Sequence, residues 1–229
     1  MIRTGVGAGV SSISVIIPAL NAARRIGATL AAVAGAGEVV VVDGGSADAT
    51  AALTHAAGAL VLDAPRGRGG QLAAGAAAAR YPWLLLLHAD TVLAPDWPAM
   101  AARLVAAGPT RAGYFRLVLD SADPRARRLE RAVAWRCRVL ALPYGDQGLL
   151  IHRDLLAAVG GIRPLPLMED VDLVRRLGRA RLCALDAAAV TAADRWERDG
   201  WAWRSVRNLA CLGAWFVGVP PALLARWYR

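Results

Sequence analysis

Four short apolar runs, Ser14–Ile17, Glu38–Val42, Ala59–Leu62 and Trp83–Leu87, constrain this chain more than anything else in it. None alternates apolar with polar residues. Each is therefore expected to be a strand covered on both faces, as in a parallel sheet. The Ala-rich stretches between them, 22–33, 49–57 and 70–79, suit helices. The expected unit is βαβαβαβ over residues 14–87, with right-handed crossovers that place helices on both sides of the sheet. Gly44-Gly45-Ser46 reads as a turn after the second strand, with Ser46 or Asp48 as helix cap. Asp43, Asp63 and Asp90 each follow a strand. In an open parallel sheet the ligand crevice lies beyond the carboxyl ends of the strands. Asp43 and Asp90 are thus expected to share one site.

The second half is less regular. Helices are expected at 97–107, 124–142 and 168–177, strands at 113–119 and 149–152, and a loop at 144–148. With 229 residues, 56% of them hydrophobic, the chain can bury the core of one large domain. The net charge is +9, and every basic residue is Arg rather than Lys. Guanidinium forks suit phosphates. No basic stripe interleaves with aromatic residues, so a nucleic-acid partner is not expected. Cys137, Cys183 and Cys211 form no CxxC pair, which argues against a disulfide framework or zinc and for a cytoplasmic setting. Residues 1–12 contain no apolar stretch of secretory length and read as a leader.

Two glycine-rich stretches compete as phosphate binders. Gly5-Val6-Gly7-Ala8-Gly9 precedes the first strand, whereas a dinucleotide fingerprint follows it, so an oxidoreductase is disfavoured. Arg66-Gly67-Arg68-Gly69-Gly70-Gln71 sits between the third strand and third helix, where backbone N–H groups and a helix N-terminus face the crevice. A plain flexible turn is the alternative reading. His88-Ala89-Asp90 delivers a carboxylate to the ligand edge of the sheet, where a hard cation on two phosphates would partner it. His88 could ligate a metal or donate to a phosphate.

Four stretches in order carry a further signal: Ser14-Val-Ile-Ile-Pro-Ala-Leu-Asn21, Val41-Val-Asp43-Gly-Gly-Ser-Ala-Asp48, His88-Ala-Asp90 and Met168-Glu169-Asp170. Together they resemble glycosyltransferase family 2, from residue 14 to about 200. Within it, His88-Ala-Asp90, Gly145-Asp-Gln-Gly148 and Arg195-Trp-Glu-Arg-Asp-Gly200 are similar to a short subgroup. That subgroup is labelled radical-SAM/selenodomain-associated, or arsenosugar-biosynthesis, glycosyltransferase. The resemblance implies a GT-A fold, a mostly parallel α/β sheet flanked by helices. It implies transfer from a nucleotide-sugar, a UDP-sugar above all, to a small-molecule or lipid acceptor, with inversion and with Mn²⁺ or Mg²⁺.

Carried over residue by residue, the resemblance puts Pro18, Asn21, Asp43 and Gly44 beside the nucleotide, with Asp43 accepting from the base. Asp90 would bind the metal, with His88 beside it in place of the first Asp of DxD and Ala89 between them. Arg66 and Arg68 would face the diphosphate. Asp170 would be the catalytic base. Asp146, Gln147, Glu169, Arg195 and Trp196 would lie on the acceptor side. A nucleotidyltransferase, or a membrane-associated nucleotide-binding module without turnover, remains the alternative reading.

The expected domain plan is a nucleotide half over 13–95, an acceptor half over 96–200, and an apolar helical tail over 201–229. Leu209–Ala225 is free of charge but is interrupted by Pro220-Pro221, and four tryptophans, Trp201, Trp203, Trp215 and Trp227, accompany it. A helix packed on the domain or lying on a membrane surface, at its inner face, is expected ahead of a span.

Overall fold

The computed structural model describes residues 10–227, and the Gly5–Gly9 run lies outside them. One eight-stranded sheet runs through the chain in the order β3-β2-β1-β4-β7-β6-β8-β5. The first four strands are β1 (Ile13–Ala19), β2 (Glu38–Asp43), β3 (Leu60–Asp63) and β4 (Trp83–Leu86). They pair in parallel, with Ala19 opposite Asp43 and Asp43 opposite Asp63. Their carboxyl ends therefore finish level along one edge. The crossover helices are α1 (Ala23–Ala32), α2 (Thr50–Ala56) and α3 (Arg68–Ala78). All seven residues of β1 are buried. In contrast β3 is an edge strand with Leu60 48% exposed, so its apolar run does not mean burial on both faces. Ala49, not Ser46 or Asp48, occupies the cap position of α2, and no side chain caps it. Asp48 instead accepts from Thr50 N at 3.0 Å.

The sheet then continues through β5 (Thr91–Leu93), β6 (Ala112–Asp120), β7 (Leu149–His152) and β8 (Leu182–Ala192). β7 runs antiparallel to β4 with Leu149 opposite Leu86. That register brings the turn before β7, residues 145–148, beside the segment after β4, residues 87–90. β5 runs antiparallel to β8 with Thr91 opposite Thr191. The same logic carries the chain after β8 to Asp90, and Ala192 N donates to Asp90 O at 3.2 Å.

Helices α4 (Trp97–Ala107), α5 (Pro124–Leu140), α6 (Arg153–Ala158) and α7 (Glu169–Leu177) complete the body. Asp123 caps α5 by accepting from Arg125 N at 2.8 Å, and Pro124 takes the first turn, where no N–H is needed. Glu169, Asp170 and Asp172 open α7 and Arg175 and Arg176 close it, which complements the helix dipole at both ends.

Two apolar layers sandwich the sheet. On one face Val15, Ile17, Leu85, Phe115 and Leu150 pack with Ile26 and Leu30 of α1 and Trp97 and Leu104 of α4. On the other, Ile16, Val42, Leu84, Leu86 and Ile151 meet Leu72 of α3 and Val171 and Val174 of α7. Each such side chain contributes about 1.5–3 kcal/mol on burial. Gly75 lets α3 approach closely, since a Cβ there would stand 2.9 Å from Val42 Cγ2.

After β8 come α8 (Asp194–Asp199), α9 (Trp201–Phe216) and α10 (Pro221–Trp227). The charge-free tail is thus two helices broken before Pro221. Among the described residues no helix is long and apolar enough to cross a membrane.

Candidate active site

The loops after β1 and β2 are tied together. Asp43 accepts from Ser46 N at 2.8 Å, Gly45 N at 3.2 Å and Ser46 Oγ at 2.5 Å. Ser46 Oγ accepts from Asn21 N at 2.8 Å, and Asn21 Oδ1 accepts from Ala47 N at 2.8 Å. Asn21 holds a left-handed φ of 49°, a conformation Asn tolerates better than most residues. Gln71, 3% exposed, fastens the strand ends from below. Its Nε2 donates to Ala19 O at 2.9 Å and Val42 O at 2.7 Å, and its Oε1 accepts from Gly67 N at 3.3 Å. Gly44 lies against this amide, at 3.1 Å from where a Cβ would begin. Pro18 is buried at the end of β1 opposite Val42. Arg66 is exposed on the turn, away from the cleft described next, whereas Arg68 reaches into it.

The cleft, about 140 Å³, opens where β4, the turn before β7 and the chain after β8 meet. His88, Asp90, Asp146, Asp170 and Arg195 all line it, with Arg68 at one side and Trp196 at another. Asp170 Oδ2 accepts from Gly145 N at 2.8 Å, so the turn before β7 fixes the carboxylate at the head of α7. Gly145 is also where His88 packs: a Cβ there would stand 2.6 Å from His88 Nε2. Burial lowers the His88 imidazole to about 4, with Arg68 adding to the effect, so the ring is neutral near pH 7. Burial raises the Asp146 carboxyl to about 6; Arg136 opposes this, while Asp170 and Asp90 reinforce it. Asp146 Oδ1 accepts no hydrogen bond from the described residues.

Glu169 and Asp170 diverge, as adjacent residues on a helix must. Glu169, with a side chain 1% exposed, turns to Arg68 Nε at 2.8 Å. Burial nonetheless raises its carboxyl to about 7. Gln147 also turns away from the cleft. Its Nε2 donates to Phe115 O at 2.9 Å, and its Oε1 accepts from Cys137 Sγ at 3.2 Å and Tyr144 N at 3.3 Å. That places Gln147 under the turn rather than on the acceptor wall. Ala89 O accepts from Thr29 Oγ1 at 3.0 Å, which anchors the segment after β4 to α1.

Several lining residues carry no motif. Tyr144 closes one side, with the Arg136 guanidinium 3.4 Å from its ring centre. Thr191 lines the floor and donates to Asp146 O at 3.0 Å. Arg204, Asn208 and Leu212, on one face of α9, form the remaining wall. Asn208 Oδ1 accepts no hydrogen bond from the described residues. The wall is held by Asp199, which pairs with Arg198 at 2.8 Å, Arg204 at 2.7 Å and Arg207 at 3.2 Å. Trp196 stacks on Trp201 at 5.9 Å between ring centres. The tail therefore belongs to the site, a role that its average hydropathy concealed.

Level strand ends and a cleft lined by Asp90, Asp146 and Asp170 with Arg68 and Arg195 define an α/β protein with a polar crevice at the carboxyl edge of its parallel strands. Residues 14–161 match Glycosyl transferase family 2, and the chain belongs to that family. It is 33% identical over 139 residues to an uncharacterized glycosyltransferase of Mycobacterium tuberculosis, covering 59% of this chain and 64% of that one. It is 37% identical over 155 residues to the succinoglycan biosynthesis protein ExoO of Rhizobium meliloti, covering 63% of this chain and 44% of that one. The chain thus spans less than two thirds of the length of these relatives.

Among solved structures it is similar to glucosyl-3-phosphoglycerate synthase from M. tuberculosis in complex with Mn²⁺ and UDP-glucose. The TM-score is 0.61 at 19% identity, over 83% of this chain and 76% of that one. It is also similar to S. aureus TarS 1–349, with a TM-score of 0.62 at 16% identity, over 93% of this chain and 68% of that one. At these identities the likeness establishes the fold, which is GT-A.

Proposed function

We propose that this chain transfers a sugar from a nucleoside diphosphate sugar, with uridine as the nucleoside, to an acceptor hydroxyl, inverting the anomeric carbon. The observation that carries the reading is the shared cleft of Asp90 and Asp170, flanked by Arg68 and Arg195 at the carboxyl edge of the parallel strands. The fold-related synthase, described with Mn²⁺ and UDP-glucose, supports the donor class.

Each residue has a distinct task. The tied loops of Asn21 and Asp43 hold the nucleoside, with Asp43 accepting from the base through the one lone pair its own turn leaves open on Oδ1. Arg68 and Arg195 face the leaving diphosphate and stabilise its developing charge. Asp170, oriented by Gly145 N–H, takes the proton from the acceptor hydroxyl as that oxygen attacks the anomeric carbon. Such general-base help is worth about 10²–10⁴-fold. Asp146 and Asn208, both in the cleft lining, would face the acceptor and hold its hydroxyls.

A divalent ion fits this donor set as a guest of the substrate. Among the described residues no three His, Cys, Asp or Glu side chains gather to hold a metal alone. Asp90 would supply one oxygen, as Mg²⁺ and Mn²⁺ need when phosphates and water complete the shell. His88, turned toward Gly145, would orient rather than ligate. When bound, the ion acts as a Lewis acid on the leaving group. The three cysteines are free, in keeping with a cytoplasmic location.

Thermal shift with UDP, GDP, CDP and dTDP, each with Mn²⁺, Mg²⁺ or chelator, tests the donor side. UDP with metal should stabilise most, and Asp90→Ala should abolish the metal-dependent part. Donor hydrolysis tests the chemistry: Asp170→Asn should keep nucleotide binding and lose about 10²-fold or more in rate. Full activity in Asp170→Asn would remove the base assignment. Binding without turnover in the parent would favour the binding-module reading.

A further inference from the structure

Helix α9 carries apolar residues on its outward face as well as its inward one. At about 100° per residue, Trp201, Arg204, Asn208, Leu212 and Trp215 share the face directed into the protein and its cleft. The opposite face carries Trp203, Val206, Leu209, Phe216 and Val217, all of them exposed. Trp203 is 65%, Leu209 66% and Val217 82% exposed. Surface helices of water-soluble domains carry charged and polar residues on such an outward face. A contiguous outward apolar face marks an interaction surface.

Helix α5 supplies the charge beside it. Arg128, Arg131, Trp135, Arg138 and Val139 recur at helical spacing and are all exposed, with Trp135 at 53%. The one acidic residue of the helix, Glu130, is turned inward and accepts from Leu119 N at 2.6 Å. The two helices touch at one end and are bridged by residues 175–179 at the other. Arg125 of α5 lies 5.9 Å from the ring centre of Trp201 at the start of α9. At the other end Arg175 lies 4.7 Å from the Phe216 ring, and Arg179 bonds the carbonyls of Arg138 and Val139. From residue 201 to 227 there is no Asp or Glu at all.

We propose that α5 and α9 form one face that docks on an anionic lipid bilayer, with the α9 apolar residues in the acyl boundary and the α5 arginines on lipid phosphates. Arginine and tryptophan on a helix above an apolar stripe are the composition of an interfacial helix. No described helix spans a bilayer, so the contact lies in the interface plane. A second copy of this chain fits less well, because self-docking would oppose Arg128, Arg131 and Arg138 to like charge. A nucleic acid offers phosphates but no apolar layer for Leu209 and Val217. The inference stands independently of the sugar-transfer reading.

Vesicle flotation of the full chain tests it, using phosphatidylcholine alone and phosphatidylcholine mixed with phosphatidylglycerol. The parent should float with the mixed vesicles and weakly, if at all, with the neutral ones. Arg128→Glu with Arg131→Glu should weaken partitioning at least about fivefold per arginine, with a smaller effect at high salt. Trp203→Asp with Leu209→Asp should abolish flotation while keeping the parent's melting profile and UDP response. Equal flotation of that double variant overturns the proposal. So does absence of parent flotation, whether the parent is monomeric or forms a dimer that the double variant disperses.

Discussion

Replacing Glu169 by glutamine keeps the shape of a buried side chain and removes its charge. The side chain is 1% exposed and pairs with Arg68 at 2.8 Å. Burial still outweighs that pairing and raises the carboxyl from its ordinary 4.5 to about 7. The unfolded chain thus releases this proton near 4.5 and the folded chain near 7. The stability attached to the proton is complete below about 4.5 and is lost as pH rises through about 7. At 1.36 kcal/mol per pH unit, that gap is worth roughly 3 kcal/mol. Glutamine has no such dependence. From pH 4.5 to 8 the variant should therefore gain about 3 kcal/mol relative to the parent. At about 2–4 °C per kcal/mol for a chain of this size, the melting temperatures should diverge by roughly 6–12 °C. The assay is thermal melting of both proteins in matched buffers, so that Asp146, whose carboxyl also titrates near 6, contributes equally to each. Parallel curves would refute the reasoning. A parent that gains on the variant as pH rises would show that Arg68 outweighs burial.

Other perturbations follow from the loop ties and the cleft. Gln71→Ala removes the side-chain donor to Val42 O and one of the two donors to Ala19 O, which keeps Gly44 N at 2.8 Å; at about 1–3 kcal/mol for a lost buried partner, it should lower both the denaturation midpoint and UDP affinity. Gly145→Ala puts a Cβ 2.6 Å from His88 Nε2 and 3.3 Å from Asp170 Oδ2. Overpacking of this kind costs about 1–3 kcal/mol, and displacing Asp170 by about an ångström should lower transfer by about 10²-fold, with donor affinity retained. Glu169→Gln at neutral pH should retain far more transfer activity than Asp170→Asn, because Glu169 faces Arg68 rather than the acceptor; steady-state rates of the two variants decide it.

The parallel half of the sheet was legible because its apolar runs end in turn residues and acids. β8 was not. Ala184, Ala187, Ala188, Ala189 and Ala192 give it a helical propensity, and only pairing with β6 and β5, where small side chains fit, makes it a strand. β5, three residues long, carries too little pattern to read. Asp90 and Asp170, which line the cleft, could be picked out as strand-end and helix-start acids, whereas Asp43 lies in the tied loops outside that lining. The Gly145–Gly148 string was visible too, but not which of its side chains faces the cleft. The turn decides that, sending Gln147 to Phe115 O and leaving Asp146 in the cleft. Arg204 and Asn208 were hidden because two polar residues barely register in a segment read for its apolar average.

Helix α9 carries cleft residues on one side and bare tryptophan and leucine on the other. A helix is stiff about its own axis, so its two faces are gears on one shaft. Any roll that seats Trp203 or Leu209 more deeply in an outside surface must sweep Asn208 and Leu212 across the mouth of the cleft by the same angle. Asp199, gripping Arg204 and Arg207 at the first two turns, sets the angle from which any such roll would start.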